Sequence, residues 1–392
     1  MTVVESDDRA AGDGAAMQPV PLSDILVDEE IQAAAAEAVL SGWWSMGPRV
    51  EQFEHAFAEG CETETAFAVS SGTSALHLAL LALGCGPGDD VVLPSLNFVA
   101  AANTIVHTGA RPVFCDINGP DDLNLDVDDL ARAITPATRA IVLLHYGGHP
   151  CELDRVLELA ERHQIAVIED AAHAVGARWR GRPCGSFGAV GCFSFFSNKN
   201  LPTAEGGMIV TSDRALADRI RLLRSHGMTT LTWDRHRGHA HSYDVVEHGY
   251  NYRLDEIRAA IGLVQLRRLP EQNAARARLV EYYRTALDGV DGIVMPFSPD
   301  ERSEPSHHLA VIVLPESCER DSVRAALKER GIQTSVHYPP IHGFSAYAGM
   351  SQSRALPVTD AVASRIVTLP LYPHMTLVQA SNVVDAVLRA TS

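Results

Sequence analysis

The 392-residue chain has no uninterrupted apolar stretch of the roughly 18 residues that a membrane-spanning helix needs. It opens without the basic-then-apolar pattern of a secretory leader. Both absences lead us to expect a cytoplasmic protein with no membrane partner. Basic residues are few: 32 Lys+Arg face 49 Asp+Glu, a formal net charge of -17. Contacts to a nucleic-acid backbone need clustered cations, so that balance argues against a nucleic-acid partner. One small phosphorylated ligand in a locally positive pocket stays compatible with it. The seven cysteines (61, 85, 115, 151, 184, 192, 318) include no CxxC pair, and their number is odd. They read as reduced thiols buried as small hydrophobes, not as a disulfide frame or a zinc site. With 46% apolar and 21% charged residues, the chain lies outside the disordered class.

What is present is a rhythm. The first nineteen residues are polar and Gly/Ala-rich and read as a loose tail. Helices are predicted over 28–40 and 50–57. From about residue 65, short apolar runs alternate with segments of helical period. Strands are expected at 65–70, 90–93, 112–116, 140–145 and 165–170, with helices at 74–83, 99–107, 126–134 and 153–163 between them. This alternation predicts a mostly parallel sheet covered by helices on both faces. Runs such as AIVLL (140–144) suit strands buried on both sides. Runs at 192–196 and 208–211 predict an antiparallel hairpin within that sheet. A long helix over 256–288 then leads to strands at 309–314 and 333–337, a helix at 322–330 and a last helix at 378–388. The organisation expected is a large α/β domain over 20–267 and a small α+β domain over 268–392.

Three segments carry chemistry. Ser70-Ser71-Gly72-Thr73-Ser74 lies where a strand meets a helix, where free N–H groups and the helix dipole favour an anion. The same residues serve equally as a helix cap. Ile168-Glu169-Asp170-Ala171-Ala172-His173 ends an apolar strand with two acids, at the sheet edge where ligands bind in open α/β folds. In Ser194-Phe195-Phe196-Ser197-Asn198-Lys199-Asn200 a lone lysine stands between two expected strands, a setting that lowers an amine's pKa and suits Schiff-base chemistry. A phosphate cradle, an acid at a strand end and a lone lysine are together what pyridoxal 5'-phosphate requires.

With these go SGWWSMGPRVEQFE (41–54), LPSLNFVAAANTI (93–105), HYGGHPCELD (145–154), GYNYRLDEIRAAIGLVQL (249–266) and HYPPIH (337–342). On these stretches the chain resembles the DegT/DnrJ/EryC1/StrS sugar aminotransferases from about Val20 to Leu388. The resemblance implies the fold type I architecture of pyridoxal-phosphate enzymes, with a central sheet of seven strands. It implies Lys199 as the cofactor-bearing and proton-moving lysine and Asp170 as partner of the pyridine nitrogen. His173 and Phe98 are expected against the ring, and Gly72, Thr73 and Ser194 at the phosphate. It implies Asn251 reaching the phosphate of a neighbouring subunit, hence a homodimer with shared sites, and Arg253, His337 and Tyr338 as substrate contacts. Relatives in which the lysine is histidine are dehydratases; Lys199 favours transamination. The run Ala204-Glu205-Gly206-Gly207 resembles relatives acting at the sugar C4. The expected reaction moves an amino group from L-glutamate to a dTDP- or UDP-linked 4-keto sugar. A 3-keto sugar, a keto-cyclitol, dehydration or a non-catalytic regulator on the same fold are the alternatives. The histidines of 233–248 read as donors near a nucleotide diphosphate rather than a metal site.

Overall fold

A computed structural model describes residues 19–230, 238, 242–350 and 354–391. Two helices lead in, α1 (Glu29–Leu40) and α2 (Pro48–Gly60). The alternating segment gives β1 (Thr65–Val69), α3 (Gly72–Ala82), β2 (Asp90–Pro94), α4 (Ala100–Thr108), β3 (Arg111–Cys115), α5 (Val127–Ala133), β4 (Thr138–Leu144), α6 (Leu153–His163) and β5 (Ala166–Asp170). Two short strands, β6 (Arg178–Trp179) and β7 (Arg182–Pro183), precede β8 (Val190–Ser194) and β9 (Gly207–Thr211), and α7 (Arg214–Arg224) follows. The seven-stranded sheet has the order β1-β9-β8-β5-β4-β2-β3. β8, β5, β4, β2 and β3 run parallel, and β9 is antiparallel to both neighbours, so the expected hairpin is present as β8 and β9. β2, β8 and β9 are buried almost throughout, as strands covered on both faces must be. The seven cysteines are free thiols, six of them buried.

The 32-residue helix α8 (Glu256–Leu287) runs through Pro270 without ending. At its start the buried Glu256 accepts hydrogen bonds from the N–H groups of Arg49 and Val50 at 3.0 and 2.9 Å, capping α2 from outside. Beyond lie β10 (Ser303–Glu304), β11 (Ala310–Val313), α9 (Arg320–Glu329), α10 (Pro357–Ala363), β12 (Ile366–Leu369) and α11 (Leu377–Thr391). β11 and β12 pair antiparallel. The second half of α8, with α9, α11 and both strands, encloses a buried cluster of its own around Tyr283, Ile312 and Val383.

One expected strand is absent. Over 333–337 the described backbone makes one isolated bridge, Ser335 to Thr368, with hydrogen bonds of 3.2 and 2.8 Å, and a separate bond from the Gln333 N–H to the Val20 carbonyl at 3.0 Å. Pro339 and Pro340 follow at once and cannot donate to a ladder. β11 pairs with β12, a run not expected as a strand from the sequence.

Candidate active site

The carboxyl ends of β2, β4, β5 and β8, with the start of α3, surround a cavity of about 380 Å³. Nine of the eleven predicted residues line it: Gly72, Thr73, Phe98, Asp170, His173, Ser194, Lys199, His337 and Tyr338. Asn251 and Arg253 do not. Asn251 is exposed and bridges Ser225, while Arg253 bridges Val69 and is half-buried; burial, and then the nearby Arg224, lowers its pKa. Of the histidine-rich segment, His236, His239 and His241 lie outside the described residues.

The anion cradle is built from the β1–α3 turn. Ser71 caps α3, accepting from the Ser74 N–H at 3.0 Å, and the hydroxyls of Ser70 and Ser71 each reach the Ser74 hydroxyl, at 2.8 and 2.9 Å. The first in-helix bond is Ala75 N to the Ser71 carbonyl, so the N–H groups of Gly72 and Thr73 open the helix ahead of it. A Cβ on Gly72 would stand 2.8 Å from the Ser194 Cβ, so glycine is what lets the helix start and the β8 end close on one another. Asn97 Nδ2, buried in the wall and without a partner among the described residues, adds an unspent donor.

The two acids of β5 have separate tasks because successive strand residues face opposite sides. Glu169 is wholly buried. Its Oε1 accepts from the N–H groups of Phe187 and Gly188 at 2.6 and 2.7 Å. Its Oε2 accepts from the Gly185 N–H at 2.7 Å and from His145 Nε2 at 3.0 Å. Asp170 faces the cavity, and among the described residues its carboxylate accepts a hydrogen bond only from the Ala172 N–H, at 3.2 Å. Burial raises its pKa to about 6, against the pull of that N–H and of Lys199. Lys199, half-buried, is pushed the other way, to about 8, by burial, with Asp170 opposing.

His173 Nδ1 accepts from the Gly147 N–H at 3.3 Å, so Nε2 carries the proton and meets the Tyr338 hydroxyl at 2.9 Å. Burial, then Lys199 and His337, hold His173 neutral. His337 Nδ1 contacts the Thr368 hydroxyl at 2.8 Å, and the Tyr146 hydroxyl donates to the His337 carbonyl. At the mouth Phe98 is 54% exposed, a large apolar face left uncovered beside Tyr338, whose ring centre is 5.8 Å away. Motif reasoning missed His308, whose Nε2 lies 3.4 Å from Lys199 Nζ.

An acid beside an amine, an open helix start and an uncovered aromatic suit a flat, phosphorylated carbonyl compound. The profile of the DegT/DnrJ/EryC1/StrS aminotransferase family matches residues 26–388. The chain is 40% identical over 375 residues to the Bacillus subtilis (strain 168) spore coat polysaccharide biosynthesis protein SpsC, covering 94% of this chain and 96% of that one. The crystal structure of S. venezuelae DesV in complex with a ketimine intermediate superposes with a TM-score of 0.87 at 38% identity, covering 96% of this chain and 99% of that one. The Streptococcus pneumoniae putative sugar aminotransferase Spr1654 matches in its PMP-form with a TM-score of 0.89 at 28% identity, covering 95% and 99%, and it is also known in a PLP-form. The chain therefore belongs to the DegT/DnrJ/EryC1/StrS aminotransferase family. Its activity is that of an aminotransferase, and the cavity residues fit pyridoxal phosphate, the family's implied cofactor.

Proposed function

We propose that the protein transfers the amino group of L-glutamate to a dTDP- or UDP-linked 4-keto sugar, giving a 4-amino sugar nucleotide for natural-product or surface-glycan biosynthesis. The observation that carries this reading is the placing of Lys199 and Asp170 on one cavity, below the open start of α3. Pyridoxal phosphate, when bound, supplies an electron-accepting ring and a carbonyl carbon able to carry an amino group. Gly72, Thr73 and Ser194 would hold its phosphate, Asp170 its ring nitrogen, Phe98 and His173 its ring, and Lys199 its carbonyl. Asp170 does its part ionised, above about pH 6. Lys199 Nζ, with its pKa brought down to about 8, takes the proton from the donor's α-carbon. In the second half of the exchange it delivers a proton to the sugar carbon that becomes the amine-bearing one. His337 and Tyr338, on the segment between β11 and β12, and Arg253 would meet the sugar nucleotide. Asn251, exposed and away from its own cavity, would complete the phosphate site of a second copy in a homodimer.

The test is a panel of nucleotide-linked 3-keto and 4-keto sugars and keto-cyclitols incubated with glutamate, read by product mass and by NMR for the position of the amine. A 4-amino product that vanishes with Lys199→Ala is expected. An amine at C3, or turnover surviving Lys199→Ala, would refute the reading.

A further inference from the structure

His308 stands beside Lys199 in a fixed protonation pattern that its neighbours dictate. Asn200 Nδ2 donates to the Ser306 carbonyl and to Asn273 Oδ1, both at 2.8 Å. A carbonyl can only accept, so the Asn200 amide cannot be turned round. Asn273 is fixed in the same way: its Nδ2 donates to the Val175 carbonyl at 3.0 Å, leaving its Oδ1 to accept. The remaining atom of Asn200, Oδ1, faces His308 Nδ1 at 3.0 Å and must receive a proton from it. His308 is thus the tautomer protonated at Nδ1, and its Nε2 is a bare lone pair 3.4 Å from Lys199 Nζ.

That ring stays uncharged. Burial opposes a second proton first, and the groups that act on it are Lys199, His173, His337 and Arg276, all cations or bases. Arg276 is buried on α8 with Nε and Nη1 unpartnered among the described residues; burial lowers its pKa to about 10, which leaves it a cation at neutral pH. An imidazole that cannot gain a proton and has already given its own to Asn200 can do one thing towards Lys199, which is accept.

We infer that His308 is the positioning residue for the Lys199 amine: a neutral acceptor, locked in one tautomer, that holds Nζ whenever it is free of the cofactor. The inference rests on the aminotransferase reading and deepens it. A lysine side chain has four flexible bonds, and one fixed acceptor narrows where its nitrogen rests. The contact is charge-assisted only when Lys199 is an ammonium, so it raises the basicity that burial removes. Lys199 then remains basic enough to take a carbon-bound proton and is held in reach of the cavity.

The chain has only two lysines, Lys199 and the exposed Lys328, which makes the contact measurable without turnover. In the full-length cofactor-free chain, competitive acetylation over a pH series, read by mass spectrometry, gives the titration midpoint of Lys199 with Lys328 as internal reference. His308→Leu should lower the Lys199 midpoint by about one pH unit, the worth of a single charge-assisted hydrogen bond. The same variant should lower kcat with KM for the amino donor little changed. His308→Gln, which keeps an acceptor oxygen at similar reach, should recover most of both. A folded Leu variant with the wild-type midpoint would overturn the inference. So would a Gln variant displaced as far as Leu, a comparison with the wild type that stands even if the Leu variant fails to fold. A wild-type chain inactive towards every keto sugar would count against the functional reading while leaving the labelling result intact.

Discussion

Glu169 and Asp170 are adjacent, similar in chemistry and both buried, yet the structure assigns them opposite consequences. Consider Glu169→Gln. Each carboxylate oxygen now accepts two hydrogen bonds: Phe187 and Gly188 N–H at Oε1, Gly185 N–H and His145 Nε2 at Oε2. The His145 contact has a fixed sense, because His145 Nδ1 accepts from the Cys151 N–H at 3.1 Å and so leaves the proton on Nε2. All four partners are donors. Whichever way a glutamine is turned, its NH2 faces two of them, and two buried donors lose their acceptor. At about 1–3 kcal/mol for each unsatisfied buried group, the cost is about 2–6 kcal/mol. That is a large share of the stability of about 5–15 kcal/mol typical of native proteins. Asp170→Asn removes a charge that burial already penalises, and its single N–H contact can pass to the amide oxygen, so stability should hold or rise slightly. On the proposed role its loss would be chemical: the cofactor's ring nitrogen would lack its anion, and turnover should fall by about 10²–10³-fold. The assay pairs thermal unfolding of the cofactor-free chains with glutamate-dependent turnover of the loaded ones. Glu169→Gln melting within about 1 °C of the wild type would refute the assignment, since even 1 kcal/mol moves Tm by a few degrees in large domains. Equal losses of stability from both substitutions would refute it as well.

The remaining tests concern pH and subunit sharing. Cofactor capture by the cofactor-free chain should speed up as pH rises and level off above about 8, as Lys199 deprotonates, while cofactor retention should weaken as pH falls through about 6 and Asp170 gains a proton. Stopped-flow absorbance and dialysis over a pH series read these two limbs, and a capture rate flat across that window would contradict them. If Asn251 serves the neighbour's site, mixing inactive Lys199→Ala and Asn251→Asp chains should restore about a quarter of wild-type activity, because half of randomly paired dimers hold one intact site. Mixed dimers verified by mass yet still inactive would rule out sharing.

Much of the site was readable because its parts are local in sequence. Ser70–Ser74, Asp170–His173 and Ser194–Lys199 each sit at the end of one strand, and a parallel sheet brings strand ends to one edge whatever lies between them. Strand order follows less directly. The misread strand over 333–337 had a plausible composition, but a strand exists only through its partner, and β11 takes Ile366–Leu369 instead. The histidines were harder still. His308 and Lys199 are 109 positions apart, and His173 and Tyr338 are 165 apart. No spacing rule spans such distances. Nor could any sequence pattern fix the tautomer of His308, because the atoms that fix it are two backbone carbonyls, Val175 and Ser306, whose positions exist only once α8 has packed beside the sheet. The residue type sets what an imidazole can do, and the folded backbone chooses which nitrogen does it. In this chain the Val175 and Ser306 carbonyls, acting through Asn273 and Asn200, decide which nitrogen of His308 faces Lys199.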